Sequence, residues 1–313
     1  MSVRGFGGSG VGGGGAISRG GGIARRRTVE RVAVGLCVLA LVLALAPLVS
    51  ILYTALSSGA AKLTWTFLSQ PAAGSPYVGS EGGVLNGLTG TAILLFLGGL
   101  VAVPVGVVSG LYLADFGHAR LGGLIRALGD TLLGVPSVIW GLFGFAFFAS
   151  LSSPIGFHWS RSALAGGVVL GLIMTPIVAR VTELSVRDVP AAFREASLAL
   201  GATRWATTRR IGLRVALPGI LTGVLLALTN AIGQTVAILL TNGYTNFMPR
   251  WPLSGPAASV TDMGSLIYLY LYQAGTALQA PAEAAVVVLL GMVLTLSLLS
   301  RALNALGRRT YGG

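Results

Sequence analysis

Polar side chains are scarce in this chain, and the few that interrupt its apolar runs carry whatever chemistry it has. Asn230 and Gln234 lie one helical turn apart, and Thr235 follows, inside an apolar stretch running from residue 215 to 241. Asn230 falls about 15 residues past the start of that stretch, or about 22 Å deep at about 1.5 Å per residue. That is close to the middle of a bilayer, where an amide must find a partner. The pair either bonds a neighbouring helix or lines a path for a polar solute. Ser137 follows a break at Gly134-Val135-Pro136, and Thr175-Pro176 interrupts another apolar stretch. At the end of that stretch Arg180 and Glu183, spaced i,i+3, can pair, or can simply reach for the interface. These groups can pass a polar solute; they are not a set for breaking bonds. Lys62 is the only lysine, and no glycine-rich phosphate cradle precedes it, so the chain hydrolyses no nucleotide and is not itself an enzyme. His118 and His158 fall in loops on opposite sides of the membrane, Cys37 stands alone, and no metal-ligand spacing occurs. Ser137 and Ser152 have no histidine at a matching depth.

The elements that must position these residues are membrane helices. Hydrophobic residues make up 54% of the chain and charged residues 10%, with a mean hydropathy of +0.82. Soluble domains carry roughly 25% charge. The net charge of +12 suggests nucleic acid at first sight, but the basic residues lie in segments between apolar spans and not on one face. Spans of about 20 apolar residues are expected at 32–56, 86–114, 129–151, 163–185, 215–241 and 283–306. Residues 1–24 are rich in glycine and read as a disordered tail. Residues 25–81 then hold the first span, too long for a cleaved leader, and an outer loop. Residues 82–313 form the main domain. All Lys and Arg except Lys62, Arg161 and Arg250 fall at the N-terminus, in 115–128, in 180–214 or at the C-terminus. The positive-inside rule therefore puts both termini in the cytoplasm. Gly106 and Gly110, Gly167 and Gly171, and Gly219 and Gly223 are spaced for close helix approach, as ordinary packing or as sliding surfaces. Trp251, Tyr268, Tyr270 and Tyr272 mark the outer segment, either as interfacial anchors or as a docking surface.

One stretch stands out from this oil. Arg180 to Arg214 holds seven arginines between two spans. Pro190 suits a first helical turn, Phe193, Ala196, Leu198 and Leu200 give an apolar stripe beside Arg194 and Glu195, and Gly201 supplies a stop. A second basic helix is expected from Thr203. Lipid headgroups could hold such a segment; so could a protein that grips it.

Glu195-Ala196-Ser197, three residues, Gly201, nine residues and Ile211-Gly212-Leu213 resemble the EAA loop of the permeases of ABC importers. In that family the loop is a cytoplasmic coupling helix that docks on the ATP-binding subunit, which here implies Arg194, Glu195, Ala196, Ser197, Leu200 and Gly201. Ser197 replaces the usual alanine, and Arg214 stands where many members have proline. Gly110-Leu111-Tyr112-Leu113-Ala114-Asp115, Gly134-Val135-Pro136-Ser137 with Gly141-Leu142-Phe143, and Thr175-Pro176-Ile177-Val178-Ala179-Arg180 look like the phosphate-specific (Pst) permeases, the A-type subunit above all. The likeness runs from about Gly82 to the C-terminus.

This resemblance implies an all-α integral membrane protein of six transmembrane helices with the MetI-like core of type I importers and an extra N-terminal helix. It implies a second permease subunit, a dimer of ATP-binding subunits that carries ATP and magnesium, and an external phosphate-binding protein. No cofactor and no nucleic acid are implied for this chain. The substrate path would pass Asn230, Gln234, Thr235, Ser137 and Arg180. One departure matters: the fifth helix of the family reads Arg-x-x-Gly-Glu-Thr, whereas this chain has Asn230-Ala231-Ile232-Gly233-Gln234-Thr235. Both charges are amides here, so the cargo stays open between phosphate and another oxyanion such as sulfate, molybdate or tungstate. A non-transporting scaffold or sensor, and a secondary transporter driven by an ion gradient, are the other readings. Against the last, the midplane has no ionisable group and no inverted repeat of broken helices.

Overall fold

The computed structural model describes residues 20–72, 82–117, 119–155, 161–249, 259–273 and 279–311. Among them every regular element is helical: α1 Gly20–Gly59, α2 Trp65–Ser69, α3 Leu85–Asp115, α4 Ala119–Gly134, α5 Ser137–Ile155 and α6 Ala163–Arg187. There follow α7 Ala191–Ala199, α8 Arg204–Thr207, α9 Leu213–Ile232, α10 Thr235–Asn242, α11 Met263–Gln273 and α12 Gln279–Tyr311. Five of these helical runs are long and apolar enough to cross a membrane, six if the bent pair α4–α5 is counted as one span. The chain is a multi-pass membrane protein.

By its internal contacts the chain forms two units, Met1–Tyr53 and Thr54–Gly313. The first is most of α1, apolar on every side, as a span bounded by lipid is. It starts at Gly20, so Gly20 to Ala24, expected in the disordered tail, are helical; residues 1–19 lie outside the described residues.

In the second unit α6 is the central element, with half of its apolar window buried, against 28% for α3 and for the α8–α9 run. Lipid tails are as apolar as leucine, so burial gives little driving force here and close packing must hold the helices together. Glycines supply the closeness. A Cβ on Gly106 would meet Val178 at 2.7 Å, one on Gly171 would meet Val101 at 2.6 Å, and one on Gly223 would meet Val181 at 2.5 Å. All three glycine pairs of the sequence therefore serve contacts with α6. Leu94, Leu170, Met174, Val178 and Ala227 fill the space between α3, α6 and α9.

A second core lies at the other end from the arginine-rich segment. Phe67, Ala72, Val84, Met263, Leu266, Tyr270 and Ala282 pack together. Residues 54–72 thus share a core with residues 82–313. Polar side chains knot this end: Asn86 accepts from Ala72 N at 3.1 Å, Asn242 accepts from Val260 N at 3.2 Å, and Tyr270 donates to Gly83 O at 2.7 Å. Tyr268 and Tyr272 stack on each other outside at 5.5 Å, so of the three tyrosines only Tyr270 faces inward. Trp251, His118 and His158 lie outside the described residues.

Two expected spans differ. The third is not one helix over 129–151: α4 and α5 meet at Val135-Pro136 with a bend of 101°, and α4 takes up most of the expected 115–128 loop. Pro136 cannot donate to the preceding turn and disfavours helix at the residue before it. The fifth is not continuous over 215–241. It begins at Arg204, passes one π-helical turn at Thr208–Gly212, and breaks between Ile232 and Thr235. The second basic helix expected from Thr203 is therefore the start of this span.

Candidate functional site: a neutral cavity and an anchored helix

Both breaks open on the same place. A cavity of about 310 Å3 is lined by Leu132, Leu133, Val135, Ser137, Trp140, Ile173, Ile177, Asn230 and Gln234. Ser137 is the first residue of α5, and Gln234 is the residue that caps α10. Two helix N-termini thus point at one space, each with free backbone N–H groups and about half a positive charge. The Gln234 side chain donates to Asn230 Oδ1 at 3.2 Å, bridging the end of α9 to the start of α10. No lining residue is ionisable. The site offers donors and partial positive charge without a formal charge, which suits an anion with oxygen acceptors.

Of the five path residues expected from sequence, Ser137, Asn230 and Gln234 meet here; Thr235 and Arg180 do not line the cavity. Thr235 faces the first turn of α11, where a Cβ on Gly264 would come within 1.9 Å of its Oγ1. Arg180 belongs to a charge cluster on Glu183, a side chain only 1% exposed. Glu183 pairs with Arg126 at 2.9 Å, with Arg187 at 2.7 Å and with Arg180 at 3.5 Å. Three cations on one carboxylate leave this end of α6 with a surplus of positive charge. Spacing along α6 makes the Arg180 and Arg187 pairs legible; Arg126 comes from α4, and no local pattern announces it. Trp140 was also missed, though it lies one turn from Ser137.

The arginine-rich segment folds as a short helix with a defined end. Gly201 has φ +79°, the left-handed region that favours glycine. Gly201 N donates to Leu198 O at 2.9 Å and Ala202 N to Ser197 O at 3.2 Å, the paired bonds of a Schellman stop. The buried face of α7 is polar. Ser197 hydrogen-bonds Thr207 Oγ1 at 2.9 Å, which accounts for serine in place of alanine. Arg194 donates to Asp115 Oδ1, at the end of α3, and to Val186 O, near the end of α6. Asp115 Oδ2 accepts from Thr208 Oγ1 at 2.6 Å. Asp115 therefore ties α3, α7 and the π-turn at one point. The other face is open: Glu195, Ala196 and Gly201 are exposed, with Phe193 and Leu198 about half so, and Leu200 is 89% exposed.

A buried carboxylate outside the spans completes the inventory. Asp262, 2% exposed, caps α11 by accepting from Ser265 N at 3.1 Å and from the Ser265 hydroxyl. Burial pushes its carboxyl above the usual range, against the pull of those bonds.

Residues 102–310 match the family described as "Binding-protein-dependent transport system inner membrane component". The chain is 32% identical over 292 residues to the phosphate transport system permease protein PstA 2 of Mycobacterium bovis, covering 92% of this chain and 91% of that one. It is 35% identical over 246 residues to PstA of Haemophilus influenzae, covering 78% and 83%. Among solved structures it resembles a chain of a bacterial alginate ABC transporter complex, with a TM-score of 0.61, 16% identity and coverage of 94% and 98%. It also resembles a chain of the MetNI methionine ABC transporter, with a TM-score of 0.52, 23% identity and coverage of 71% and 93%. At such identities these two likenesses speak for the fold.

Proposed function

Since the chain belongs to the binding-protein-dependent transport system inner membrane components, we propose that it is the permease subunit of an ATP-driven importer that carries inorganic phosphate into the cytoplasm. The observation that carries the anion is the cavity, where two half-helix N-termini and neutral donors converge without a carboxylate. The relatives named as phosphate permeases support phosphate among the oxyanions.

The membrane orientation follows from the arginines, which hold α7 and both termini on the cytoplasmic side. A separate ATP-binding subunit, one of a dimer, grips the open face of α7; ATP and magnesium stay on that subunit. A second permease closes the cavity from the side that this chain leaves open, and an external phosphate-binding protein delivers the anion from the other end. α7 cannot move alone. Arg194 and Asp115 fasten it to the ends of α3 and α6, and Thr208 fastens the same carboxylate to the root of α9. Ile173 and Ile177 of α6 and Asn230 of α9 are cavity walls. A pull on α7 thus reaches the cavity through helices and ion pairs as a rigid-body shift between two states. Arg126, Arg180 and Arg187 surround the cytoplasmic side with positive charge on the way out.

The test is ATP turnover and uptake by the complex reconstituted in vesicles, with binding protein plus phosphate, sulfate or molybdate. Stimulation by phosphate is expected. Stimulation by sulfate or molybdate instead changes the cargo and keeps the machine; silence with all of them turns the reading to a membrane scaffold.

A further inference from the structure

Trp140 stands on the first turn of α5 and forms part of the cavity wall, one helical turn from Ser137. Its indole nitrogen is buried and has no hydrogen-bond partner among the described residues. That is an expensive condition, since an unsatisfied buried donor destabilises the fold, and most of all where no water can reach it. The other polar groups of the cavity are versatile. Ser137 can donate or accept, and the amides of Asn230 and Gln234 do both and already satisfy each other in part. An indole N–H only donates, and it neither gains nor loses a proton at any pH the protein meets. It can be satisfied only by an acceptor, and best by a charged one such as an oxygen of an anion, never by a cation.

We infer that the Trp140 indole N–H is a specificity-determining donor of the transport cavity, left without a partner in this state and satisfied by an oxygen of the small oxyanion as it passes. This rests on the importer reading above and names a residue of the same site. Ser137, beside it on α5, donates from the same turn, and the free N–H groups at the start of α5 stand behind both. The ring already forms wall between the two aliphatic side chains Ile173 and Ile177 and the break at Val135. Since the nitrogen is buried in this state, meeting the anion requires the ring to turn about its own side-chain bonds. The wall then discriminates by chemistry alone: an oxyanion satisfies the orphan donor, while an ammonium, which has no acceptor, leaves it unmet.

The experiment compares the wild-type complex with Trp140→Phe, which keeps an aromatic ring and removes the N–H. Both are reconstituted in vesicles with the ATP-binding subunits, the second permease and binding protein loaded with radioactive phosphate. The maximal uptake rate is expected to fall roughly 10- to 100-fold, the worth of one hydrogen bond to a charged group. The concentration of loaded binding protein that gives half-maximal rate stays as it was, because docking occurs elsewhere. The melting temperature of the complex without anion stays level or rises, because the substitution deletes an unsatisfied donor. Uptake within about twofold of wild type overturns the inference, since that is far less than one such bond is worth. So does a loss of uptake accompanied by a lower melting temperature, which is the mark of a packing role. If Trp140→Phe does not assemble, benzothienylalanine at position 140, which keeps both rings and lacks only the N–H, takes its place. Wild-type uptake of phosphate tests the importer reading by itself. If the wild type carries sulfate or molybdate instead, the cargo is corrected and the same comparison is made with that anion. If the wild type carries no oxyanion, the Trp140 assignment falls with the reading it rests on.

Discussion

Replacing Asp115 by asparagine should uncouple ATP hydrolysis from transport, and the structure sets the size of the effect. The carboxylate is 6% exposed and its partner Arg194 is 28% exposed, so water screens the pair only in part. Asp115 accepts from Arg194 on one oxygen and from Thr208 on the other. Hydrogen bonds to charged groups contribute about 1.5–3 kcal/mol each. Asparagine keeps the shape and one acceptor but loses the charge, so a loss of about 2 kcal/mol at the anchor is expected. Since about 1.4 kcal/mol is tenfold, the population with α7 detached rises roughly 30-fold. The assay is phosphate carried per ATP hydrolysed in the reconstituted complex. The ratio should drop by an order of magnitude while ATP turnover persists, because the grip on the open face of α7 is untouched. A double-mutant cycle between Asp115→Asn and Arg194→Gln should return an interaction energy of about 1–2 kcal/mol. A ratio equal to wild type, or an interaction energy below about 0.3 kcal/mol, refutes the anchor.

Other perturbations follow from the same contacts. Gly201→Val has room around it, so its cost is the backbone at φ +79°, at least about 1–2 kcal/mol for a branched residue. Coupled uptake should fall with membrane insertion intact, and Gly201→Asn should fall less; wild-type transport by the valine variant would remove the turn from the mechanism. Gly90→Ala would place a Cβ 2.1 Å from the Thr261 carbonyl oxygen, whereas nothing lies within 4 Å of Gly291. The first should lower the melting temperature sharply and Gly291→Ala should leave it alone; equal effects would mean that the α3 contact with residue 261 is looser than described. Asp262 gives a pH dependence. Its carboxyl is raised in the folded state by burial, and its bonding partner is the neutral Ser265, with Thr91 the other polar residue of the small pocket it lines. Between the unfolded and the folded pKa the native protein holds a proton that the unfolded chain has released, so stability falls as pH rises through that window. Asp262→Asn, which keeps a cap acceptor, should flatten the melting temperature across it. Parallel pH profiles for the two proteins would show that Asp262 does not titrate with folding.

Much of the fold is legible because a bilayer imposes few options. Four of the six expected spans are single helices where apolar length demands, and the glycine pairs on α3, α6 and α9 foretell the contacts they make. Gly134-Val135-Pro136 announces its break through proline chemistry. The break at Gly233 is quieter. Ile232-Gly233-Gln234 has no proline, and a continuous helix and a broken one share that composition. What opens it is tertiary: Gln234 bonds back to Asn230, and α10 leaves α9 to pack on α5, where a Cβ on Gly141 would come within 2.9 Å of Leu240 and 3.0 Å of Ala237. The helix α7 is readable from Pro190 to Gly201 because caps are local. Its anchor was not, since Arg194 and Asp115 stand 79 residues apart. Arg180 lies outside the cavity that Ser137, Asn230 and Gln234 share. Its pairing with Glu183 could be read from spacing, but that two further arginines share the same carboxylate is settled only by the packing of α4 on α6.

The neutral lining of the cavity has an electrical consequence. Moving one elementary charge across a membrane potential of about 100 mV involves about 2.3 kcal/mol. A counter-ion that travels with the anion makes a neutral couple; amides, a hydroxyl, an indole and two helix ends do not, because groups fixed to the helices do not travel with the cargo. Within this subunit an oxyanion therefore crosses with its full charge exposed to the field. Entering a cell whose interior is negative, a dianion meets an opposing term of about 5 kcal/mol at about 100 mV. Uptake through such a lining should slow as the membrane is polarised and quicken as it is discharged, at constant ATP.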